Sequence, residues 1–185
     1  MKKVIIIIGS ARKGNSLQIG SFTKKSIDTL GSAEIESIRL ADYKIDYCDG
    51  CLSCDSTGAC HKNDDVSGLL EKVKAADGVV FISPTRWSLL SGDMKVFMDR
   101  WNPLAGKGIF DNKKSFVVAV GQTNKKESVS IGRAIESLKF FSDDAGFEFG
   151  GAFAFENCLN ENDVSNQLET FTEYLTLVCK FVNSL

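Results

Sequence analysis

Lys3-Val4-Ile5-Ile6-Ile7-Ile8-Gly9-Ser10-Ala11-Arg12-Lys13-Gly14-Asn15-Ser16 carries the decision about the fold. Its first half is an unbroken β-branched run, the mark of a strand buried on both faces, as in the middle of a parallel sheet. Its second half is a glycine-bounded polar turn, after which Leu17, Ile19, Phe22, Ile27 and Leu30 recur with a mostly helical period up to Gly31. Buried strand, tight loop and helix form the opening unit of a doubly wound α/β domain.

The rest of the chain repeats that alternation. Glu34–Leu40 alternates as an outer strand would, with Ile35, Ile38 and Leu40 inward. Asn63 and Asp64 are placed to cap a helix whose face is Val66, Leu69, Leu70 and Val73. Val79–Ser83 reads as a third strand ended by Pro84, and Met94, Phe97, Met98 and Trp101 as the core stripe of a helix over about 91–102. Ser115–Val120, a helix through Ile131, Ile135, Leu138 and Phe141, a strand Gly146–Phe155 and a helix Val164–Phe181 complete the series. Five strands alternating with five helices predict a three-layer α/β fold with a parallel sheet. No repeat or linker divides the chain, so residues 1–185 read as a single domain, interrupted by a long irregular stretch at about 41–63.

The composition excludes several function classes. At 185 residues, 22 basic against 24 acidic side chains leave a formal charge of −2, with no basic excess for nucleic acid or a polybasic membrane patch. No apolar run approaches the roughly 20 residues of a membrane span. The apolar stretch after Met1-Lys2-Lys3 is too short for a secretory signal, so a cytoplasmic protein is expected. Six cysteines in a reducing compartment point to metal or redox chemistry before disulfides.

In such a sheet, ligands bind beyond the carboxyl ends of the strands. The first loop nearly matches G-x-x-x-x-G-K-[ST], but Asn15 stands where the lysine would reach a β- or γ-phosphate. G-x-G-x-x-G is missing too. What remains is rich in donors: the hydroxyls of Ser10 and Ser16, the Asn15 amide, the Arg12 guanidinium and free N–H groups at the helix start. These suit a dianionic phosphate monoester, against the plainer alternative of a polar turn capped by Ser16. A response regulator is excluded, because Ile8-Gly9-Ser10 supplies no acidic residue at the end of the first strand.

The second loop is Ser83-Pro84-Thr85-Arg86-Trp87-Ser88-Leu89-Leu90-Ser91-Gly92. An aromatic side chain and exposed N–H groups there suit a flat heteroaromatic ring. G-S-x-R-x-x-N-S after the first strand, and S-P-T-x-W-S…S-G-x-x-K-x-F-x-D-R after the third, resemble the flavodoxin-like NAD(P)H-dependent FMN reductases. Cys48-x2-Cys51-x2-Cys54-x5-Cys60 followed by Asp64-Asp65 resembles the branch of iron–sulfur flavoproteins.

The resemblance spans about the first 125 residues. It implies sheet order 2-1-3-4-5, noncovalent FMN, NAD(P)H as co-substrate, and a homodimer or homotetramer. Ser10, Arg12, Asn15 and Ser16, with Leu17 beside them, would hold the phosphate. Pro84, Thr85, Arg86, Trp87 and Ser88 would flank the ring and ribityl chain, with Gly121 and Gln122 at the ring's other edge. Relatives commonly carry a tyrosine at the position of Arg86. Hydride would pass from NAD(P)H to the flavin and electrons onward to a flavin- or quinone-like small molecule or a protein. The cofactor carries that chemistry, so no acid–base residue is demanded.

Cys48, Cys51, Cys54 and Cys60 read first as ligands of a [4Fe–4S] cluster. Zinc, with His61 as a substitute ligand, and unmetallated thiols are the alternatives. With a cluster, the chain reads as an electron carrier for ferredoxin-like partners or as a thiol or cluster redox sensor. Cys179 reads as a small buried apolar residue and Cys158 as a thiol at a strand end. Lys24-Lys25, Lys113-Lys114 and Lys125-Lys126 read as solvated surface, the last pair also as a candidate contact for NADPH phosphates.

Overall fold

A computed structural model describes residues 1–124 and 126–185. Its centre is a five-stranded, all-parallel sheet of order β2-β1-β3-β4-β5, formed by β1 (Lys3–Ile8), β2 (Glu34–Arg39), β3 (Gly78–Pro84), β4 (Lys114–Val120) and β5 (Glu148–Phe155). Between and after them run α1 (Asn15–Leu30), α2 (Ser53–Thr57), α3 (Val66–Ala75), α4 (Gly92–Asp99), α5 (Ser130–Ala145) and α6 (Leu168–Asn183).

Strand alternation sorts the core into two layers. Ile5 and Ile7 of β1 face Leu69, Leu70 and Val73 of α3, Met94 and Phe97 of α4 and Leu138 of α5. Val4, Ile6 and Ile8 face the other way, toward Ile19 and Ile27 of α1 and Tyr174, Val178 and Phe181 of α6. β3 is buried along its whole length. Each fully buried Val, Ile or Phe contributes about 1.5–3 kcal/mol, so the central strands form a rigid platform for the loops at their carboxyl ends.

Order reverses beside β1: its chain goes on to β2 on one side, while β3 lies on the other. The loops after β1 and β3 therefore converge at the switch point. Gly9 sits at the narrowest place. A Cβ there would lie 2.8 Å from both Met94 Cβ and Ser91 Oγ, so only glycine lets the end of β1 meet the start of α4. Ser91 caps that helix, its Oγ accepting the Met94 N–H at 3.2 Å.

The structure departs from the sequence expectations in several places. The 41–63 stretch contains the short helix α2, preceded by Leu52 in the left-handed region (φ 59°). β5 begins at Glu148, because Gly146 is spent as the left-handed cap of α5 (φ 95°). Cys179 is only half-buried: it lies toward the outer side of α6 and lines the same apolar groove as Phe22 and Leu168. Lys113 and Lys114 are half-buried rather than solvated, donating to the carbonyls of Lys74 and Ser184. Lys125 lies outside the described residues. No helix among the described residues is long and apolar enough to cross a membrane.

Candidate functional site

A cavity of about 410 Å³ opens at the switch point. From the first loop it takes Ser10, Arg12, Gly14, Asn15 and Ser16; from the second, Pro84, Thr85, Arg86, Trp87 and Ser88; from the third, Gln122, Thr123, Ser128 and Ser130. Two sequence candidates do not line it. The Leu17 side chain packs on the core beneath α1. Gly121 lies behind the wall, its N–H donating to Phe155 O and its carbonyl accepting from Cys158 N–H. A Cβ at Gly121 would lie 2.4 Å from Ile131 Cγ1, so this glycine brings β4 and α5 together.

The first loop ends in an open helix terminus. Gly14 is the N-cap of α1 and supplies no side-chain cap, so the first N–H groups face the cavity end of the helix without an intrahelical acceptor. The Ser16 hydroxyl does not cap the helix, and its residue is buried at the wall. Ser10 Oγ donates to Arg12 O at 3.2 Å, and Arg12 Nη2 reaches Leu159 O at 3.4 Å. Arg39, from the end of β2, donates to Ala11 O at 3.1 Å and braces the same loop from outside. A helix start with unsatisfied N–H groups and a nearby guanidinium is a ready anion site.

Asn15 has a second function that its position in the loop did not disclose. Its Nδ2 donates to Asn160 O at 2.7 Å, and its Oδ1 accepts the Val164 N–H at 3.2 Å. The side chain thereby fastens α1 to the segment after β5. Sequence reasoning missed that segment, which adds Cys158 and Leu159 to the cavity. The available signal was topological: β5 also ends at the carboxyl edge of the sheet, so its loop belongs with the other three. Cys158 is 6% exposed, and burial pushes its thiol up to about 11.

The second loop is a strained hairpin. Arg86 and Leu89 exchange both N–H···O bonds at 2.9 Å. The two central residues, Trp87 (φ 48°) and Ser88 (φ 63°), are both left-handed, the requirement of a type I′ turn that normally selects Asn-Gly. Each non-glycine residue there costs about 1–2 kcal/mol. The turn holds the Trp87 indole 99% exposed at the cavity mouth. Arg86 folds back on its own loop, Nη1 donating to Thr85 O at 2.9 Å.

The cysteine loop leaves the same end of the sheet after β2. Cys54 is buried, Cys48 and Cys60 are half-buried, and Cys51 is exposed; all six thiols of the chain are free. Burial pushes the Cys54 thiol up, and the charges of Asp55, Cys51 and Cys60 push it further, so Cys51 and Cys60 each lie within electrostatic reach of Cys54. His61 pairs instead with Asp49, Nε2 to Oδ2 at 3.1 Å. The donor atoms of Asp49, Cys51 and His61 lie within 4.8 Å of each other.

The loop's far end is fixed from a distance. Arg100, just past α4 and 2% exposed, donates from Nη1 to Asp46 O (2.6 Å) and Asp64 Oδ2 (2.5 Å). From Nη2 it donates to Asp64 Oδ1 (3.1 Å) and Cys60 Sγ (3.3 Å). Asp64 also accepts the N–H groups of Asp46 and Val66. Burial opposes its ionisation, but Arg100 and these two N–H groups outweigh it and hold the carboxyl below its usual range. Asp64 thus does more than start α3. One donor, Arg100 Nη2, is thus aimed at the half-buried Cys60 sulfur, in the loop that carries Cys48, Cys51 and Cys54.

A parallel sheet of this order with an anion cradle at its switch point defines a flavodoxin-like protein. Residues 2–137 match the family model described as NADPH-dependent FMN reductase, and the chain belongs to that family. An iron–sulfur flavoprotein of Methanocaldococcus jannaschii is 39% identical over 120 residues, which are 64% of this chain and 62% of that protein. One from Clostridioides difficile is 28% identical over 170 residues, 90% of this chain and 73% of that one. The first relative is thus matched over less than two thirds of its length. Among solved structures, an FMN-dependent NADH-azoreductase of Bacillus anthracis in complex with FMN superposes with a TM-score of 0.72 at 16% identity, covering 99% of this chain and all of that one. At that identity the fold is what is shared.

Proposed function

We propose that the protein is an FMN-containing oxidoreductase that takes its electrons from NAD(P)H. The observation that carries this is the open, uncapped start of α1 with Arg12 beside it, facing a slot bounded by the backbone of residues 84–88. The donor set fits FMN: Arg12, Ser10, Ser16 and the first N–H groups of α1 would hold its phosphate. Thr85, Arg86 and Ser88 would line one side of the flavin, and Gln122 the other. Asn15 acts mainly by fixing the wall formed by residues 158–164, and Gly121 by permitting the approach of α5. FMN, when bound, supplies a centre that accepts hydride and can release electrons one at a time. Trp87 stands at the mouth of the slot, where a nicotinamide or an aromatic acceptor would arrive.

Purified protein should carry a flavin absorption spectrum and oxidise NADH or NADPH with an added flavin or quinone. A colourless protein that takes up no FMN would overturn the reading.

The donation from Arg100 to Cys60 favours a second feature, a [4Fe–4S] cluster held by Cys48, Cys51, Cys54 and Cys60, which would let electrons leave singly toward a ferredoxin-like protein. Iron and sulfide assay after anaerobic reconstitution tests it, and protein that stays free of both would refute it. A thiol or cluster redox sensor is the alternative use of the same four cysteines. A homodimer or homotetramer is in keeping with the apolar groove between α1 and α6, and light scattering on the purified protein would decide it.

A further inference from the structure

Arg100 and Asp64 form a buried ion pair, each side chain 1% exposed, and one corner of it is a sulfur. Four N–H···acceptor contacts orient the guanidinium, with both oxygens of Asp64 acting as the fork that fixes its plane. Its Nε has no partner among the described residues. The pair joins segments that are 36 and 40 residues apart in sequence. One is the end of the helix that starts at the cavity's second loop; the other is the end of the cysteine loop.

A structural clamp needs nothing beyond Asp64. The contact with Cys60 Sγ does something more: it directs a positive, rigid donor at a group that would carry negative charge as a metal ligand. Hydrogen bonds and nearby charge at cysteine sulfurs are a principal protein lever on cluster potentials. One electron entering a cluster adds one negative charge, so a donor at a ligand sulfur stabilises the reduced form. Asp64 acts in the opposite sense, offsetting the positive charge of Arg100.

We propose that Arg100 and Asp64 are a positioning pair that sets the reduction potential of the cluster, Arg100 raising it and Asp64 lowering it. This rests on the reading that the four cysteines hold iron and sulfide.

The test is a redox titration, followed by electron paramagnetic resonance, of anaerobically reconstituted wild type, Arg100→Gln and Asp64→Asn. Both substitutions break the same ion pair, so a purely structural role would move both potentials in one direction or neither. The pair predicts opposite directions: R100Q falls and D64N rises. Each change is about tenfold in the one-electron equilibrium, about 59 mV. Flavin content and far-ultraviolet circular dichroism verify that each variant is folded. Should R100Q fail to fold or to load iron, the near-isosteric D64N decides alone, and an unchanged or lowered potential there overturns the proposal. Wild type that loads iron with both variants unshifted overturns the pair's role only. Wild type that never loads iron overturns the cluster and the inference with it.

Discussion

The loops after β1 and β2 leave adjacent strands at the same end of one sheet, yet they are organised differently. Residues 9–14 pass directly from a buried strand into a long helix. They are held by Gly9 N–H to Ile82 O at 2.9 Å, by Arg39 on Ala11 and by the Asn15 clasp to residues 160 and 164. Residues 43–65 run through left-handed Gly50, Leu52 and Gly58, expose Cys51, and contain one short helix. Their firm attachments are the pairing of Lys44 with Asp65 and the Arg100–Asp64 pair. A cradle for phosphate can be built in advance, since backbone N–H groups at a helix start are already oriented. A cluster of thiolates, as proposed for residues 43–65, would bring together ligands that repel one another when ionised, so its final order would come with the metal.

The sharpest way to break this contrast is Cys54→Ser. It should reduce bound iron and sulfide to background after anaerobic reconstitution while FMN content stays at wild-type level. Loss of FMN as well would show that the two regions are not independent. Arg12→Ala should weaken FMN binding by about 1.5–3 kcal/mol, roughly 10–150-fold, in a flavin-fluorescence titration. Unchanged affinity would remove Arg12 from the cradle.

Asn15→Ala deletes two hydrogen bonds at a buried site and should lower stability by about 1–3 kcal/mol in urea unfolding. A change under about 0.5 kcal/mol would mean that the segment after β5 is held by other contacts. Replacing Trp87-Ser88 with Asn-Gly should raise the thermal midpoint by about 2–4 °C for each kcal/mol of strain removed, in a chain of this size. A lower midpoint would show that the hairpin is not strained as its dihedrals indicate.

The pH-dependent contribution of Cys158 to stability is confined to alkali. Its thiol titrates near 11 in the folded protein, against about 9 for an unperturbed one. The folded state therefore holds the proton more tightly, and stability should fall as pH rises from about 9 through about 11. Cys158→Val should flatten that slope in urea midpoints measured across the range; an unaltered slope would assign it to other groups, such as Tyr174, whose burial also raises its hydroxyl.

Local pattern made much of the architecture legible. Three β-branched runs, the alternation of residues 34–40, the glycine- and phenylalanine-rich stretch before Phe155 and the helical periods between them place every strand within about two residues of where it lies, because burial on a parallel sheet imposes such patterns directly. The cavity loops after β1, β3 and β4 followed from topology. What was not legible depends on contacts distant in sequence. That Asn15, besides lining the cavity, clasps Asn160 and Val164 is one such contact. Arg100 looked like the last residue of a helix motif, and Cys179 like core.

The amino-acid order by itself set the alternation of strands and helices around a parallel sheet and favoured a phosphate monoester over a triphosphate, while the strand order, and with it the switch point, followed from the family resemblance. A strand's burial and a loop's donors are written in neighbouring residues. Only the tertiary structure decided which side chains do the fastening and that a buried guanidinium faces a cysteine sulfur. A hydrogen bond across 40 positions leaves no periodic trace, and its geometry exists only once both segments are packed on the same sheet.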